Sequence, residues 1–512
     1  MGVFALLAII APALGAIGVY YISKKVSEER GCTLTAIICG ITFFLVCLMY
    51  PAIARGYIVE LRFYSLLPVV LTLYVDSLGF LLGFISSLLW FMASLYAIEY
   101  MKPEHAKTRF NIFSLLSLCG MMGIGFTGNL FSLYIFFELM AILSYVLVIH
   151  EETTEAMRAG LKYLFMGIVG GLLLFLAIVA TQGVCGTTTL SRAGLAPLRE
   201  SPYFTWIFWC FIFGFAVKAG MFPVHVWLPD AHPVAPTPAS ALLSGVMIKA
   251  GAYGIVRTIY AVFGPTVLAN PATGKFLLIL GIITMILGSG CAILQKEIKR
   301  LLAFSSIAQI GYVITGVALL SSLGLTGGVL HIFNHALMKG TLFLCAGAMI
   351  YKTGLRQLKD LRGIGFRMPL TMICFTLAAC SMIGFPPFCG FISKWILAEG
   401  ALQSASMGII SRAAGIAVVG FLLLSSLLNV VYYGPIVIGA WFGVEHGEHA
   451  EEEQGHGAHE HSHEKPHVER ADPNWLMLVP MFVLALGTLI FGIYPQFPLN
   501  LAKALAHIYF GH

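Results

Sequence analysis

Residues 211–260 read FIFGFAVKAGMFPVHVWLPDAHPVAPTPASALLSGVMIKAGAYGIVRTIY. The pattern is two membrane-spanning helices joined by a Pro-rich turn, and each helix carries a lysine in apolar surroundings. Lys218 lies in GFAVKAGMF and Lys249 in SGVMIKAGAY, both within a K-A-G tripeptide. A lysine near the middle of a bilayer costs roughly 2.5–3.5 kcal/mol on insertion scales. Two of them in consecutive helices point to sites that handle charge.

The rest of the chain has the same character. Of its 512 residues 59% are hydrophobic and 11% charged, against about 25% charged in soluble domains. This is a polytopic membrane protein facing the lipid bilayer. The net charge of +6 arises from basic residues in short loops between apolar runs, and implies no nucleic-acid partner. Eleven cysteines are scattered, mostly inside apolar segments, with no C-x-x-C. Iron–sulfur, haem c and zinc-finger sites therefore lack their ligand spacing, and no cofactor or bound metal is expected. The N-terminal run MGVFALLAIIAPALGAIGVYYISKK has its lysines after the apolar stretch, which favours a first spanning helix over a cleaved signal peptide.

Counting roughly 20 residues per crossing gives about fourteen spans. They fall near 2–22, 34–54, 74–98, 110–129, 130–150, 156–181, 203–225, 237–262, 273–294, 300–321, 325–350, 367–398, 412–440 and 474–496. Basic residues concentrate after odd-numbered spans, as in Lys24, Lys25, Lys102, Lys107, Arg109, Lys296, Arg300, Lys352 and Arg356. By the positive-inside rule that side is cytoplasmic and both termini face outward. The expected organisation is an N-terminal trio of spans (1–109), a first five-helix unit (110–262) and a second (273–440). A loop at 441–472 and a last span with an amphipathic tail (473–512) follow. The tail belongs at the membrane interface or against a partner. Within the loop, Glu445–Arg470 holds seven of the fifteen histidines and eight glutamates. It reads as a solvated cytoplasmic linker with weak affinity for Zn²⁺ or Ni²⁺ and no fixed site.

Few ionisable residues fall inside the spans. Glu138 lies in NLFSLYIFFELMAILSYVL, and then come Lys218 and Lys249. The eleventh span carries His331, His335 and Lys339, whose steps of four residues keep them on one helix face, drifting about 40° per step. Lys394 follows MIGFPPFCGFIS in the twelfth. Asp76 reads as an interfacial cap, and Arg158 and Lys162 as snorkelling side chains. Any one of these could make a structural hydrogen bond. The series Glu, Lys, Lys, His, Lys instead makes a proton path, since each member can take up and release a proton, as arginine cannot. Pro223 after Lys218 and Pro386-Pro387 before Lys394 should kink or open both helices. Backbone unwound at that depth needs protein or trapped water to satisfy it, and such water would complete a relay. Breaks in corresponding places of two halves are also a sign of an internal repeat, inverted because five is odd.

These residues resemble the antiporter-like membrane subunits of respiratory complex I and the Mrp D subunit of multi-subunit cation/proton antiporters. Energy-converting membrane-bound hydrogenases carry similar subunits. The resemblance runs from about Val75 to Ala398. It rests on YVDSLGFLLGFISSLLW, LYIFFELMAILSYVLVIHEE, GFAVKAGMFPVHVWLPDAHPVAPTPASALLSGVMIKAGAYG, EIKRLLAFSSIAQIGY, HIFNHALMKGTLFL and GFPPFCGFISKW. It implies an all-α fold of about fourteen transmembrane helices with two inverted five-helix repeats containing broken helices. It also implies that Glu138 pairs with Lys218, that Lys249 with His331 and His335 forms a central hydrophilic axis, and that Lys394 is the terminal proton-releasing site. One subgroup of the family has glutamate at that last position. Lys394 places this chain nearer the other complex I paralogues and the Mrp D subunit.

At about 6 Å and an effective dielectric near 20, Glu138 would hold the Lys218 ammonium by roughly 2.8 kcal/mol. That is comparable with the work of carrying one charge across 100 mV, about 2.3 kcal/mol. A neighbouring subunit that altered this pairing would drive a proton from Lys218 through Lys249 and His335 to Lys394. Expected partners are neighbouring antiporter-like subunits and a redox arm, and the cargo is protons, with Na⁺ a second candidate. A stand-alone monovalent cation/proton antiporter is the alternative. A divalent-metal transporter fits poorly, because mid-membrane lysines repel such ions.

Overall fold

The computed structural model describes residues 1–62, 72–191, 193–270, 273–443 and 471–511, apart from the side chains of Arg62 and Ala269. The His- and Glu-rich segment lies outside the described residues. Seventeen helices of seven or more residues are used below: α1 (Gly2–Lys25), α2 (Glu28–Cys47), α3 (Ser77–Tyr100), α4 (Lys107–Phe126), α5 (Leu130–Val148), α6 (Thr154–Cys185), α7 (Phe204–Ala219), α8 (Leu228–Val234), α9 (Thr237–Phe263), α10 (Gly274–Ile293), α11 (Ile298–Ala318), α12 (Ser322–Thr353), α13 (Pro369–Ile383), α14 (Cys389–Ser406), α15 (Arg412–Phe442), α16 (Trp475–Ile493) and α17 (Gln496–Phe510). Twelve of the described helices are long and apolar enough to cross a membrane, and α7 and α13 are shorter apolar helices.

In lipid every backbone group must be satisfied internally, so spanning segments become helices, and their ends need caps. Ser27, Asp76, Asn129, Thr153, Ser321 and Ser411 each accept a hydrogen bond from the first turn of the helix they precede. Ser27 explains why α2 begins earlier than its apolar run. One departure from the all-helical expectation is a small antiparallel hairpin, β1 (Val59–Arg62) with β2 (Thr72–Val75).

Two spans differ from their sequence boundaries. The expected span 203–225 stops at Ala219, and the expected single span 367–398 is two helices, α13 and α14. In both places a glycine in the left-handed region ends the first helix, Gly220 at φ 73° and Gly384 at φ 96°. A side chain there would be strained, and the prolines that follow closely cannot donate into a continuing helix. Other features recur in the same order. α4 and α10 both have 20 residues, and α6 and α12 both have 32. Isolated antiparallel bridges join Asn129 to Thr189 and Glu297 to Gln357, each tying the entrance of one helix to the exit of the next.

α9 and α12 are buried along their length and α11 nearly so, whereas α1, α6 and α15 show broad apolar outer faces. Helix association in a membrane depends on close approach through small residues. An added Cβ on Gly251 would come within 2.4 Å of the Ala219 backbone nitrogen. That contact brings the Lys249 and Lys218 regions of α9 and α7 together. α17 closes the core from one end, with Leu501, Ala502, Leu505 and Ala506 buried and Tyr509 at 5.1 Å from the Tyr260 ring. The amphipathic tail thus rests on its own chain.

Candidate functional site

Lys218 occupies the last turn of α7, just before the αL glycine that ends the helix. Its ammonium donates to the hydroxyl of Tyr163 and to Ser144 Oγ at 3.4 Å, and these two hydroxyls lie 2.5 Å apart. A cavity of about 10 Å³ beside Lys218, Tyr163 and Trp227 matches the space of a single water. Glu138 stands on α5 with its carboxylate against Gly171, where a Cβ would be only 2.4 Å from Oε1. That buried oxygen makes no hydrogen bond, and among the described residues Glu138 and Lys218 form no direct ion pair. Tyr163 and Ser144 take the positions on the ammonium that a carboxylate was expected to fill.

Lys249 is fully buried on α9, which contains two π-helical segments, Leu243–Met247 and Thr258–Phe263. Its Nζ donates to the Ser244 carbonyl oxygen, inside the first of them, at 2.5 Å. From there a chain of contacts continues. Ser244 Oγ meets Ser306 Oγ at 2.6 Å, and Ser306 donates to the Leu302 carbonyl at 2.9 Å. Lys339 Nζ donates to the same carbonyl at 2.8 Å, and also to Ser305 Oγ at 2.7 Å and the Tyr433 hydroxyl at 3.2 Å. Lys249 is therefore tied to Lys339, where the sequence pointed to the histidines.

The histidines belong to a second cluster around Lys394. His331 bonds Gln309 Oε1 and Ser393 Oγ, each at 2.9 Å. Tyr312 lies 5.4 Å from the His331 ring, and Lys394 Nζ sits 4.9 Å from the Tyr312 ring centroid. Lys394 itself donates to the carbonyls of Met382 (2.7 Å) and Ile383 (3.1 Å) and to Ser426 Oγ (3.1 Å). Between the clusters stands His335, stacked on His331 at 6.0 Å, with neither ring nitrogen hydrogen-bonded. As expected, His331, His335 and Lys339 share one buried side of α12.

Three features escaped the sequence reading. Asp76 caps α3 as anticipated, but it is also buried and holds Arg257 of α9 through two contacts, at 2.7 and 2.6 Å. Lys299, counted among loop residues, is buried at the start of α11 and donates to the Ala235 carbonyl at 3.0 Å. His232, in the Pro-rich turn, is fully buried with both nitrogens unpartnered and stacks on Phe343 at 4.7 Å. A histidine inside AHPVAP between two lysine-bearing helices was the available signal for the last. Lys162, expected to snorkel, pairs with Asp230 at 2.7 Å.

Residues 127–420 match the family model described as NADH:quinone oxidoreductase/Mrp antiporter, TM. The chain is 34% identical over 413 residues to NADH-quinone oxidoreductase subunit N of Desulforudis audaxviator, covering 79% of this chain and 78% of that protein. It is 31% identical over 371 residues to the D-type Na⁺/H⁺ antiporter subunit of Alkalihalophilus pseudofirmus, covering 72% and 73% respectively. A chain of the Mrp complex from Dietzia sp. has the same fold, with a TM-score of 0.85 over 100% of this chain and 98% of that one at 23% identity.

Proposed function

The chain belongs to the NADH:quinone oxidoreductase/Mrp antiporter, TM family, and on that premise we propose that it is a proton-translocating membrane subunit of a multi-subunit complex. The observation that carries this reading is what holds the buried ammonium groups. Lys218, Lys249, Lys339 and Lys394 are each bound by hydroxyl or carbonyl oxygens, and among the described residues none has a carboxylate partner. An ion pair would fix the charged form, because separating it leaves an unpaired buried charge. Neutral acceptors impose no such lock, so each lysine can hold a proton and pass it on.

In this reading Glu138 and Lys218 receive the driving perturbation, with Tyr163 and Ser144 between proton and lysine. Lys249 and Lys339 exchange through Ser244 and Ser306. His335 bridges to His331 by ring rotation or a trapped water, and Lys394 releases the proton. The recurring bridges, helix lengths and glycine breaks support two inverted units at 110–262 and 273–440. We further place both termini outward and the 441–472 loop in the cytoplasm of a prokaryotic cell, on the distribution of basic residues. Neighbouring antiporter-like subunits and a redox arm would provide the drive, and Na⁺ is a candidate second cargo.

The test is proton movement in proteoliposomes containing the assembled host complex. Lys218→Ala and Lys249→Ala should each cut coupled translocation at least tenfold with the complex still assembled. Unchanged translocation in both would refute the reading.

A further inference from the structure

Away from the lysine series, Glu104, His105 and Glu151 come together between the α3–α4 loop and the α5–α6 loop. One ligand atom from each lies within 4.8 Å of the others. Two carboxylates and an imidazole form a donor set suited to Zn²⁺ and similar divalent ions. Ligands on one tetrahedral zinc stand roughly 3.3 Å apart at bond lengths near 2.0–2.1 Å, so small side-chain rotations would close the set.

Two further observations point to a cation. First, the carboxylates lack a counter-charge. Glu104 and Glu151 share a hydrogen bond, and among the described residues neither forms an ion pair with a basic side chain. Arg109 is engaged by Glu152 and by the His150 carbonyl, and Lys299 by the Ala235 carbonyl. Burial and the neighbouring Glu151 push the Glu104 carboxyl up, the response of an acid short of positive charge. Second, His150 is fully buried, neither of its ring nitrogens is hydrogen-bonded, and its ring lies 5.1 Å from that of His105 at an interplanar angle of 21°. Burial, with Arg109 nearby, pushes His150 down to about 4, so it is neutral at physiological pH with a free lone pair.

We propose that Glu104, His105 and Glu151 form a binding site for a divalent transition-metal ion, with Zn²⁺ the best match, and that His150 backs the His105 ring. The site stands at the mouth of a cleft of about 440 Å³ that also reaches Lys299, Arg356 and the Pro233–Pro236 turn beside His232. A bound ion neutralises the acids at that mouth and leaves the basic Lys299 and Arg356 facing it. Resting on the function proposed above, this makes the metal an inhibitor of proton uptake from that face.

The experiment uses the full chain in its purified host complex, stripped with chelator and titrated with ZnSO₄ against a chromophoric chelator. Parallel titrations in a background lacking residues 445–470 remove the loop histidines from the count. His105→Ala and the isosteric Glu151→Gln should each weaken the tight zinc class at least tenfold in both backgrounds. Identical affinity and stoichiometry in parent and variants would overturn the site. Binding needs no transport, so its loss in the variants supports the site whatever the chain transports. In vesicles, micromolar Zn²⁺ should slow proton movement at least fivefold more in the parent than in Glu151→Gln. Equal slowing would overturn the inhibitory role.

Discussion

Lys394 Nζ lies 2.7 Å from the carbonyl oxygen of Met382, across the break that separates their two helices. Together with the bond to Ile383, this gives the interrupted end of α13 an acceptor-satisfying donor that its own backbone cannot provide. The ammonium is thus both a proton carrier and a structural clasp. Two substitutions separate the roles. Lys394→Met leaves buried carbonyls unpaired and should destabilise the protein by about 1–3 kcal/mol while abolishing translocation. Lys394→Arg keeps donors but cannot release a proton. It should be nearly as stable as the parent in detergent melting and as inactive as Lys394→Met in proteoliposomes.

Gly171 leaves the space that the Glu138 carboxylate occupies. Gly171→Ala should push that carboxylate away and reproduce most of the Glu138→Gln defect, a tenfold or greater loss of coupled translocation with normal assembly. A wild-type rate in Gly171→Ala would show that the seat of the carboxylate is immaterial.

Asp76 and Arg257 form a buried pair, each about 95% hidden, joined further by Arg257 Nε to the Tyr253 hydroxyl at 2.9 Å. Breaking one side strands the other charge, so Asp76→Asn should cost about 3–5 kcal/mol and lower the yield of assembled complex. Replacing both, as Asp76→Asn with Arg257→Met, should recover much of that loss. A double variant as unstable as the single would mean that the pair contributes by shape alone.

His150 makes the loop region sensitive to acid. Its folded value of about 4 lies below the ordinary histidine value near 6.5, so the unfolded chain binds the proton first as pH falls. Stability is therefore full above about 6.5 and declines between about 6.5 and 4, by on the order of 2 kcal/mol. His150→Phe, which keeps the edge contact with Phe110, should flatten the dependence of melting temperature on pH across that window.

The lysines of residues 211–260 were legible because an ammonium in an apolar run has a large cost that only function or a partner offsets. The break after Ala219 was legible through Pro223. The direct partners of the lysines were not. Tyr163, Ser144, Ser306 and Ser426 are ordinary hydroxyls in ordinary helices, and nothing in their local sequence sets them apart from solvent- or lipid-facing neighbours. Arg257 stayed hidden for another reason. It lies near the end of its span, where a snorkelling side chain is commonplace, and its partner Asp76 is 181 positions away. Conversely, Glu138 and Lys218 were paired by charge sign alone, and the fold instead inserts two neutral groups around the ammonium.

The π-helical segment Leu243–Met247 has a consequence for how this chain tolerates insertions and deletions. A π turn holds an extra residue relative to α-helix, so it works as a phase shifter for everything downstream. Deleting a single residue there would restore an unbroken α-helix, yet turn Lys249 by about 100° relative to Thr237–Leu242. The smallest possible length change, in a stretch of bland apolar residues, would point the lysine away from Ser306. Length in this segment is as exacting as the identity of the lysine it aims.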